Sequence, residues 1–318
     1  MKSATEYFPR SLLGFFRGDG FVRVNPNRRR LVSADHVEVL LRGGIGNQLF
    51  GYALGRELAS KNSTRLHLVF HGQTSRDSGP PLRFFELDEL TGSNVTWGSS
   101  SSSRTVYRER SFRWDSRVSR IRPGVLLDGY FQTSRYFLES RAEVVQSIRG
   151  SKSFREGRAS VVGPFIALQV RRGDYLRQSA KMVHGVVPEE YFQRSVNLLR
   201  KISGDLPVVI FSDDFRAAES LSSSIENSRP HVPPSGASGL EILGSLSGAA
   251  ALCISNSSFG WWGGFLAESG TPVVAPRPWF SDALLCSKDL VESHWLSLGF
   301  TDFSGYSAPT SLKLGDSE

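Results

Sequence analysis

Phe165-Ile166-Ala167-Leu168-Gln169-Val170-Arg171-Arg172-Gly173-Asp174 is the stretch on which the fold turns. A short run of mostly apolar residues breaks off into two arginines, a glycine and an aspartate, the pattern of a buried strand ending abruptly in charge. The pattern recurs towards the C-terminus. Residues 207–211 lead into Ser212-Asp213-Asp214, residues 250–254 into Ser255-Asn256-Ser257-Ser258, and residues 272–275 into Pro276-Arg277-Pro278-Trp279. Longer amphipathic runs separate these strands, which is the alternation of a parallel α/β sheet. In open sheets of this kind ligands bind outside the carboxyl ends of the strands, so the polar residues there are the site candidates. Residues 233–239, Pro-Pro-Ser-Gly-Ala-Ser-Gly, read as a mobile loop beside them.

The N-terminal half starts its own sheet. Residues 36–41 are a strand candidate, Arg42-Gly43-Gly44-Ile45-Gly46-Asn47-Gln48 follows, and Leu49, Phe50, Ala53, Leu54 and Leu58 then recur with helical spacing. Glycines between strand and helix let backbone N–H groups approach a phosphate or sugar, and the helix N-terminus favours negative charge. A tight βα turn is the alternative reading, and Asn47 is an N-cap candidate under either. The turn is not a dinucleotide fingerprint, because Leu49 stands where the third glycine belongs, and no Gly-Lys-Ser/Thr follows to make a P-loop. Residues 66–70 are the next strand, followed by breaks at Gly79-Pro80-Pro81 and Ser99 to Ser103. Residues 104–122 hold seven arginines against two acids and predict a solvated face or loop. Residues 1–35, with Arg28-Arg29-Arg30, read as a basic extension ordered in part at most. The expected division is therefore an extension over 1–35, an N-terminal α/β domain over 36–160 and a C-terminal one over 161–318.

Length and composition agree with two packed domains. The 318 residues are 39% hydrophobic and 22% charged, which excludes a disordered, fibrous or membrane-spanning chain. The net charge of +7 is unevenly placed: residues 1–160 carry +11 and residues 161–318 carry −4. Arginine supplies 31 of the 38 basic side chains. No aromatic platform or helix-turn-helix pattern accompanies the basic half, so nucleic-acid binding is not expected. Cys253 and Cys286 are too few for a disulfide framework, which suits a reducing compartment. The apolar run Leu12-Leu13-Gly14-Phe15-Phe16 is too short for a signal peptide or a membrane span, and a cytoplasmic location is expected.

The chemistry at the strand ends is that of anion binding. Side chains alternate across a sheet, so one of Arg171 and Arg172 can face a ligand while the other pairs structurally. A guanidinium suits a diphosphate and can neutralise a leaving phosphate without a metal. Asp213 and Asp214 can accept from a purine or ribose, or form a turn and helix cap; Ser257 and Ser258 can donate to phosphate oxygens, or simply cap a helix. No Asp-x-Asp triplet and no His-x-x-x-His pair occurs, so metal dependence is not expected. His184 is the histidine nearest the candidate site in sequence.

Taken in order, four segments resemble the alpha-1,2-fucosyltransferases of glycosyltransferase family 11. They are Gly43-Gly44-Ile45-Gly46-Asn47-Gln48-Leu49-Phe50-Gly51-Tyr52-Ala53, Gln169-Val170-Arg171-Arg172-Gly173-Asp174-Tyr175, Phe211 to Asp214, and Ser255-Asn256-Ser257-Ser258-Phe259-Gly260-Trp261-Trp262-Gly263-Gly264. Weaker matches are Phe85-Glu86-Leu87, Gly129-Tyr130-Phe131-Gln132, His184-Gly185 and Trp279-Phe280. The resemblance implies a GT-B-like α/β fold of two Rossmann-like domains facing a cleft. It implies inverting transfer of L-fucose from GDP-fucose to the 2-hydroxyl of a galactose-terminated glycan, with no cofactor and no metal. By the same resemblance Arg171 meets the donor diphosphate as the catalytic residue, Asp213 or Asp214 the guanosine, and Ser257 and Ser258 the phosphate region. Gly44, Gly46 and Asn47 line the cleft, and Arg172, Asp174 and Phe259 join the substrate-binding set, Asp174 also as a guess for the base. One departure matters: the family's histidine before Val-Arg-Arg is Gln169, which keeps hydrogen-bonding capacity but cannot titrate. Gly260 in place of a serine and Gly264 in place of an alanine read as tolerated loop and helix changes. Another linkage or GDP-sugar, or a non-catalytic carbohydrate-binding relative, are the competing readings. The basic half, which would meet the acceptor, suggests peripheral contact with an anionic membrane surface carrying lipid-linked glycans.

Overall fold

The computed structural model describes residues 21–23, 36–70, 86–99, 105–176 and 182–300. Arg28-Arg29-Arg30, Phe85 and residues 100–103 lie outside them. The first sheet comprises β1 (Phe21–Arg23), β2 (His36–Leu40), β3 (Arg65–Val69), β4 (Val95–Gly98), β5 (Thr105–Arg108) and β6 (Val125–Asp128), in the order β1-β5-β6-β2-β3-β4. Its neighbours are parallel except β1, which pairs antiparallel with β5, Phe21 opposite Tyr107. The second sheet comprises β7 (Ile166–Val170), β8 (Val208–Ser212), β9 (Ser228–Pro230), β10 (Ala251–Ile254), β11 (Val273–Arg277) and β12 (Leu296–Gly299). Its order is β12-β11-β10-β7-β8-β9 and every pair is parallel. Counted within its own half this is the Rossmann order, with the topological switch point between β7 and β10. In the first sheet the order reverses between β2 and β6. The architecture is the expected α/β, GT-B-like one: two Rossmann-like sheets whose carboxyl edges face each other.

Helix α1 (Ile45–Lys61) follows the glycine turn after β2. Helices α2 (Arg141–Gly150) and α3 (Lys152–Ala159) lead from one sheet to the other. Then come α4 (Glu189–Ser203), α5 (Phe215–Ser222), α6 (Gly239–Ser247) and α7 (Ser258–Phe265). Local chemistry explains their ends. Glu189 and Glu190 open α4 and Arg200 and Lys201 close it, matching the helix dipole, and Gly204 ends it at φ 87°. Ser238 caps α6 by accepting from the Glu241 N–H at 3.2 Å, in a Ser-x-x-Glu arrangement.

Helix α1 is buried on almost every side because it lies between its own sheet and α7. Phe50 packs on Trp261 at 4.6 Å and on Trp262 at 5.1 Å between ring centroids, and Phe137 stacks on Trp262 at 5.8 Å. Both tryptophans are fully buried in a core that runs through both halves, and each is worth about 3–5 kcal/mol against alanine. A second core, under α4 and α5, covers the other face of the second sheet. Cys253 lies in it, where burial pushes its thiol pKa up to about 12, consistent with an inert core residue.

One expectation is corrected: residues 105–108, inside the arginine-rich stretch, form a strand between β1 and β6. Residues 21–23, inside the extension expected to be ordered in part at most, form an edge strand. Helix α3, on the N-terminal side of residue 160, packs on α6 so closely that a side chain at Gly157 would meet the Glu241 carbonyl, and Ser245 Oγ donates to the Gly157 carbonyl at 2.9 Å. The loop before α6 is anchored at its end: Ser238 is a cap, and Gly239 lies directly against the Glu86 carboxylate.

Candidate active site between the two sheets

The two switch points meet through the N-terminal turns of α1 and α7. A side chain at Gly46 would put its Cβ 2.6 Å from the Phe259 nitrogen, so only glycine permits this approach. Trp262 Nε1 donates to the Gly46 carbonyl at 2.9 Å across the same contact. Gly43 sits at φ +66°, in the left-handed region, while Gly44 is exposed with nothing within 4 Å of where a Cβ would be. Gly44 precedes the first helical residue, so Asn47 is not the N-cap. It lies inside α1, and its Oδ1 accepts from Gln132 Nε2 at 2.7 Å, linking the turn after β2 to the turn after β6. Arg42 Nε donates to Asp128 Oδ1 at 2.6 Å across the same pair of strands.

On the opposite edge, strand alternation separates the two arginines. Arg171 continues the face that carries Ala167 and Gln169, towards α7 and the first sheet, whereas Arg172 continues the face towards α4. Arg171 Nη1 pairs with Asp213 Oδ2 at 3.0 Å, and its guanidinium lies 5.5 Å from the Tyr175 ring centroid. Asp213 Oδ1 accepts from the Arg172 backbone N–H at 2.9 Å, so one carboxylate fixes both the turn and the guanidinium. Side chains at this pair are about a quarter exposed, 23% and 26%, so the ion pair contributes little stability and chiefly sets direction. Arg172 is buried, its guanidinium 5.6 Å from the Phe192 ring centroid on α4. Alternation turns it away from the facing sheet and packs it against α4.

The remaining candidates divide similarly. Asp214 caps α5, its Oδ1 accepting from the Ala217 N–H at 3.2 Å. Ser257 caps α7, its Oγ accepting from the Phe259 N–H at 3.2 Å, and Ser258 is the first helical residue beside Gly46. Phe259 is half-buried at the same turn. Asp174 falls in the 3₁₀ turn Gly173–Leu176 directly after the arginines. His184 stacks on Tyr175 at 4.8 Å with planes 10° apart, and Phe280 flanks it at 5.9 Å.

Several residues at the site were not singled out as candidates from the sequence. Asn256 is buried, donates from Nδ2 to the His184 carbonyl at 2.7 Å and the Trp279 carbonyl at 3.0 Å, and leaves Oδ1 without a partner among the described residues. Tyr175 reaches the Asn256 carbonyl at 3.1 Å through its hydroxyl, so Asn256 joins three loops. Glu109 is fully buried and accepts from the Tyr130 N–H at 2.7 Å and the Phe131 N–H at 3.1 Å. Burial outweighs those donors and pushes its pKa up to about 8. Glu86 likewise has a raised pKa from burial, opposed by the Gly239 N–H. The motif segments that contain Asn256, Tyr175 and Glu86 point to those residues, and for Glu109 the pointer is the weak motif at residues 129–132, which carries its two donors and the Gln132 contact to Asn47. Among the described residues no group of three or more His, Cys, Asp or Glu is placed to hold a metal ion.

Two facing Rossmann-like sheets, with the N-terminal turns of α1 and α7 meeting between them and Arg171 oriented by Asp213, define a GT-B-like α/β architecture. The family model for glycosyl transferase family 11 matches residues 123–298, and the chain belongs to that family; it is a glycosyltransferase. The chain is 27% identical over 288 residues to an alpha-1,2-colitosyltransferase of Escherichia coli, covering 81% of this chain and 97% of that protein. It is 30% identical over 123 residues to the O-antigen biosynthesis glycosyltransferase WbnK of Escherichia coli, covering 36% and 39%. Among solved structures it is similar to fucosyltransferase NodZ from Bradyrhizobium, at 13% identity and a TM-score of 0.44 over 73% of this chain and 94% of that one. POFUT1 in complex with GDP-fucose matches at 10% identity and a TM-score of 0.43, over 77% and 98%. At those scores the fold assignment rests on the strand order of the two sheets. No helix among the described residues is long and apolar enough to cross a membrane.

Proposed function

We propose that this glycosyltransferase moves L-fucose from GDP-fucose to the 2-hydroxyl of a galactoside, with inversion and without a metal. The observation that carries the reading is Arg171, aimed by Asp213 at the edge where the second sheet faces the first. In a single displacement the bond from the acceptor oxygen to the anomeric carbon forms as the bond from that carbon to the β-phosphate oxygen breaks, and the proton of the acceptor hydroxyl is released to solvent. Negative charge grows on the leaving diphosphate, and a guanidinium already held in place stabilises it without reorganising. The N-terminal turn of α7, capped by Ser257, adds backbone dipoles at the same edge. The donor sits on the second sheet, and the acceptor enters from the first, past Gly44, whose surroundings are open. Asp213, already committed to Arg171 and the Arg172 backbone, supports the arginine rather than the guanosine.

A second donor is favoured by one observation. The relative that covers most of this chain is named for alpha-1,2 transfer of colitose, which is L-fucose lacking the 3-hydroxyl. The test is incubation with GDP-fucose and with nucleotide-activated colitose, against a panel of β-galactosides, with and without EDTA, followed by linkage analysis of the product. EDTA-insensitive formation of a fucosyl α1-2 galactose linkage is the expected result. Transfer of colitose alone would move the assignment to the second donor, and glycan binding with no transfer would make the chain a binding protein.

A further inference from the structure

We propose that the pocket between the segment 107–117 and Tyr136 is a subsite for an anionic group, a carboxylate or a phosphate, on the acceptor glycan. It rests on the glycosyl-transfer reading above and names the acceptor class that reading leaves open. The pocket has a volume of about 440 Å³ and is lined by Tyr107, Glu109, Arg110, Arg113, Trp114 and Asp115 among others. Its wall leaves the carboxyl end of β5, and Phe112 within it packs on Phe280 of the second half at 4.8 Å and on Tyr130 at 6.2 Å. The Trp114 N–H donates to Asp289 Oδ2 at 3.0 Å. The pocket therefore opens on the acceptor side, beside the seam between the sheets.

Its charges do not cancel. Glu109 is buried and turned to the Tyr130 and Phe131 N–H groups. Asp115 is spent on Arg117, at 2.6 Å, and on the Tyr107 hydroxyl, also at 2.6 Å; Arg117 holds its pKa down to about 2. Arg110 and Arg113 are exposed, and among the described residues neither guanidinium has an acidic partner. The Arg113 backbone is nevertheless fixed, its N–H donating to Ser111 Oγ and its carbonyl accepting from the Tyr136 hydroxyl, each at 3.3 Å. The loop thus presents two exposed guanidiniums, without an acidic partner among the described residues, beside an indole that the Arg135 guanidinium covers at 4.2 Å from the ring centroid. The two guanidiniums can grip a carboxylate or phosphate bidentately.

The test compares the wild type with Arg110→Ser/Arg113→Ser, using three acceptors that share one terminal galactoside: neutral, bearing a uronate, and bearing a phosphate. Wild-type KM should be roughly tenfold lower for at least one anionic acceptor than for the neutral one, with similar kcat. The uronate and phosphate arms identify which anion is read. In the double variant, and at high salt, that preference should collapse towards one. Titration of the protein with the same glycans in the absence of donor reads the subsite independently of turnover. Equal affinity and equal KM for neutral and anionic glycans would overturn the subsite while leaving the transfer reading intact. Absence of transfer, with anionic-glycan binding that the double variant loses, would overturn the transfer reading and keep the subsite. Arginine-dependent binding to anionic phospholipid vesicles, with no discrimination among the glycans, would assign the pair to a membrane surface and overturn the proposal.

Discussion

Gln169 and Gly260 stand where the family resemblance has histidine and serine, and they touch. Gln169 Oε1 accepts from Ser255 Oγ at 2.7 Å, and a Cβ at residue 260 would overlap that same oxygen. The longer amide occupies the space a serine side chain would need, so the two departures are one coupled change. Gly260→Ser alone should destabilise the protein by about 1–3 kcal/mol through overpacking, and Gln169→His together with Gly260→Ser should restore part of that loss. Urea unfolding of the four members of the cycle measures it; strictly additive effects would show the sites to be independent. Each departure is legible in the sequence, since each sits inside a recognisable motif. Their contact is not, because it depends on how β7 packs under α7. The same holds for Arg172: alternation says that one arginine turns away from the site, but only the positions of α4 and α7 decide which.

At the scale of elements, four of the six strands of the second sheet, β7, β8, β10 and β11, were legible because each is a short apolar run ended by polar residues, whereas the edge strands β9 and β12 have no such run. Strand β5 was hidden by its charge. In Thr105-Val106-Tyr107-Arg108 the buried Tyr107 precedes an exposed Arg108, a half-buried alternation that reads as a run of arginines when only charge is counted. The β5–β6 pair carries a cost that composition also hides. The Glu109 carboxyl, raised from the ordinary 4.5 to about 8, keeps its proton in the folded protein at pH values where the unfolded chain has lost it. Stability from this group is therefore fully present below about pH 4.5 and is lost as pH rises through 8, on the order of 1 kcal/mol per pH unit between. Denaturant unfolding from pH 5 to 8 should show a downward slope that Glu109→Gln flattens. An unchanged slope in that variant would place the titration elsewhere.

For the whole molecule, the two halves are joined by a shared aromatic core and meet at glycine-permitted helix ends, while their charges differ in sign. The C-terminal half is net negative, so in the proposed function bulk charge does not attract a diphosphate and the locally aimed Arg171 has that role. The glycine turn and the arginine pair were readable from sequence because each is a local motif. The meeting of the glycine turn with α7 across the seam, through Gly46 and Trp262, and the clamp of Asp213 on Arg171 within the second half are products of tertiary packing that no local pattern encodes. In the proposed reaction Arg171 stabilises the leaving diphosphate. Steady-state transfer by Arg171→Ala tests it most directly, with the thermal unfolding midpoint measured alongside. The expected result is a fall in kcat of roughly two to three orders of magnitude, the scale for losing one transition-state donor, in a protein that remains folded. Near-wild-type turnover in the folded variant would contradict the claim.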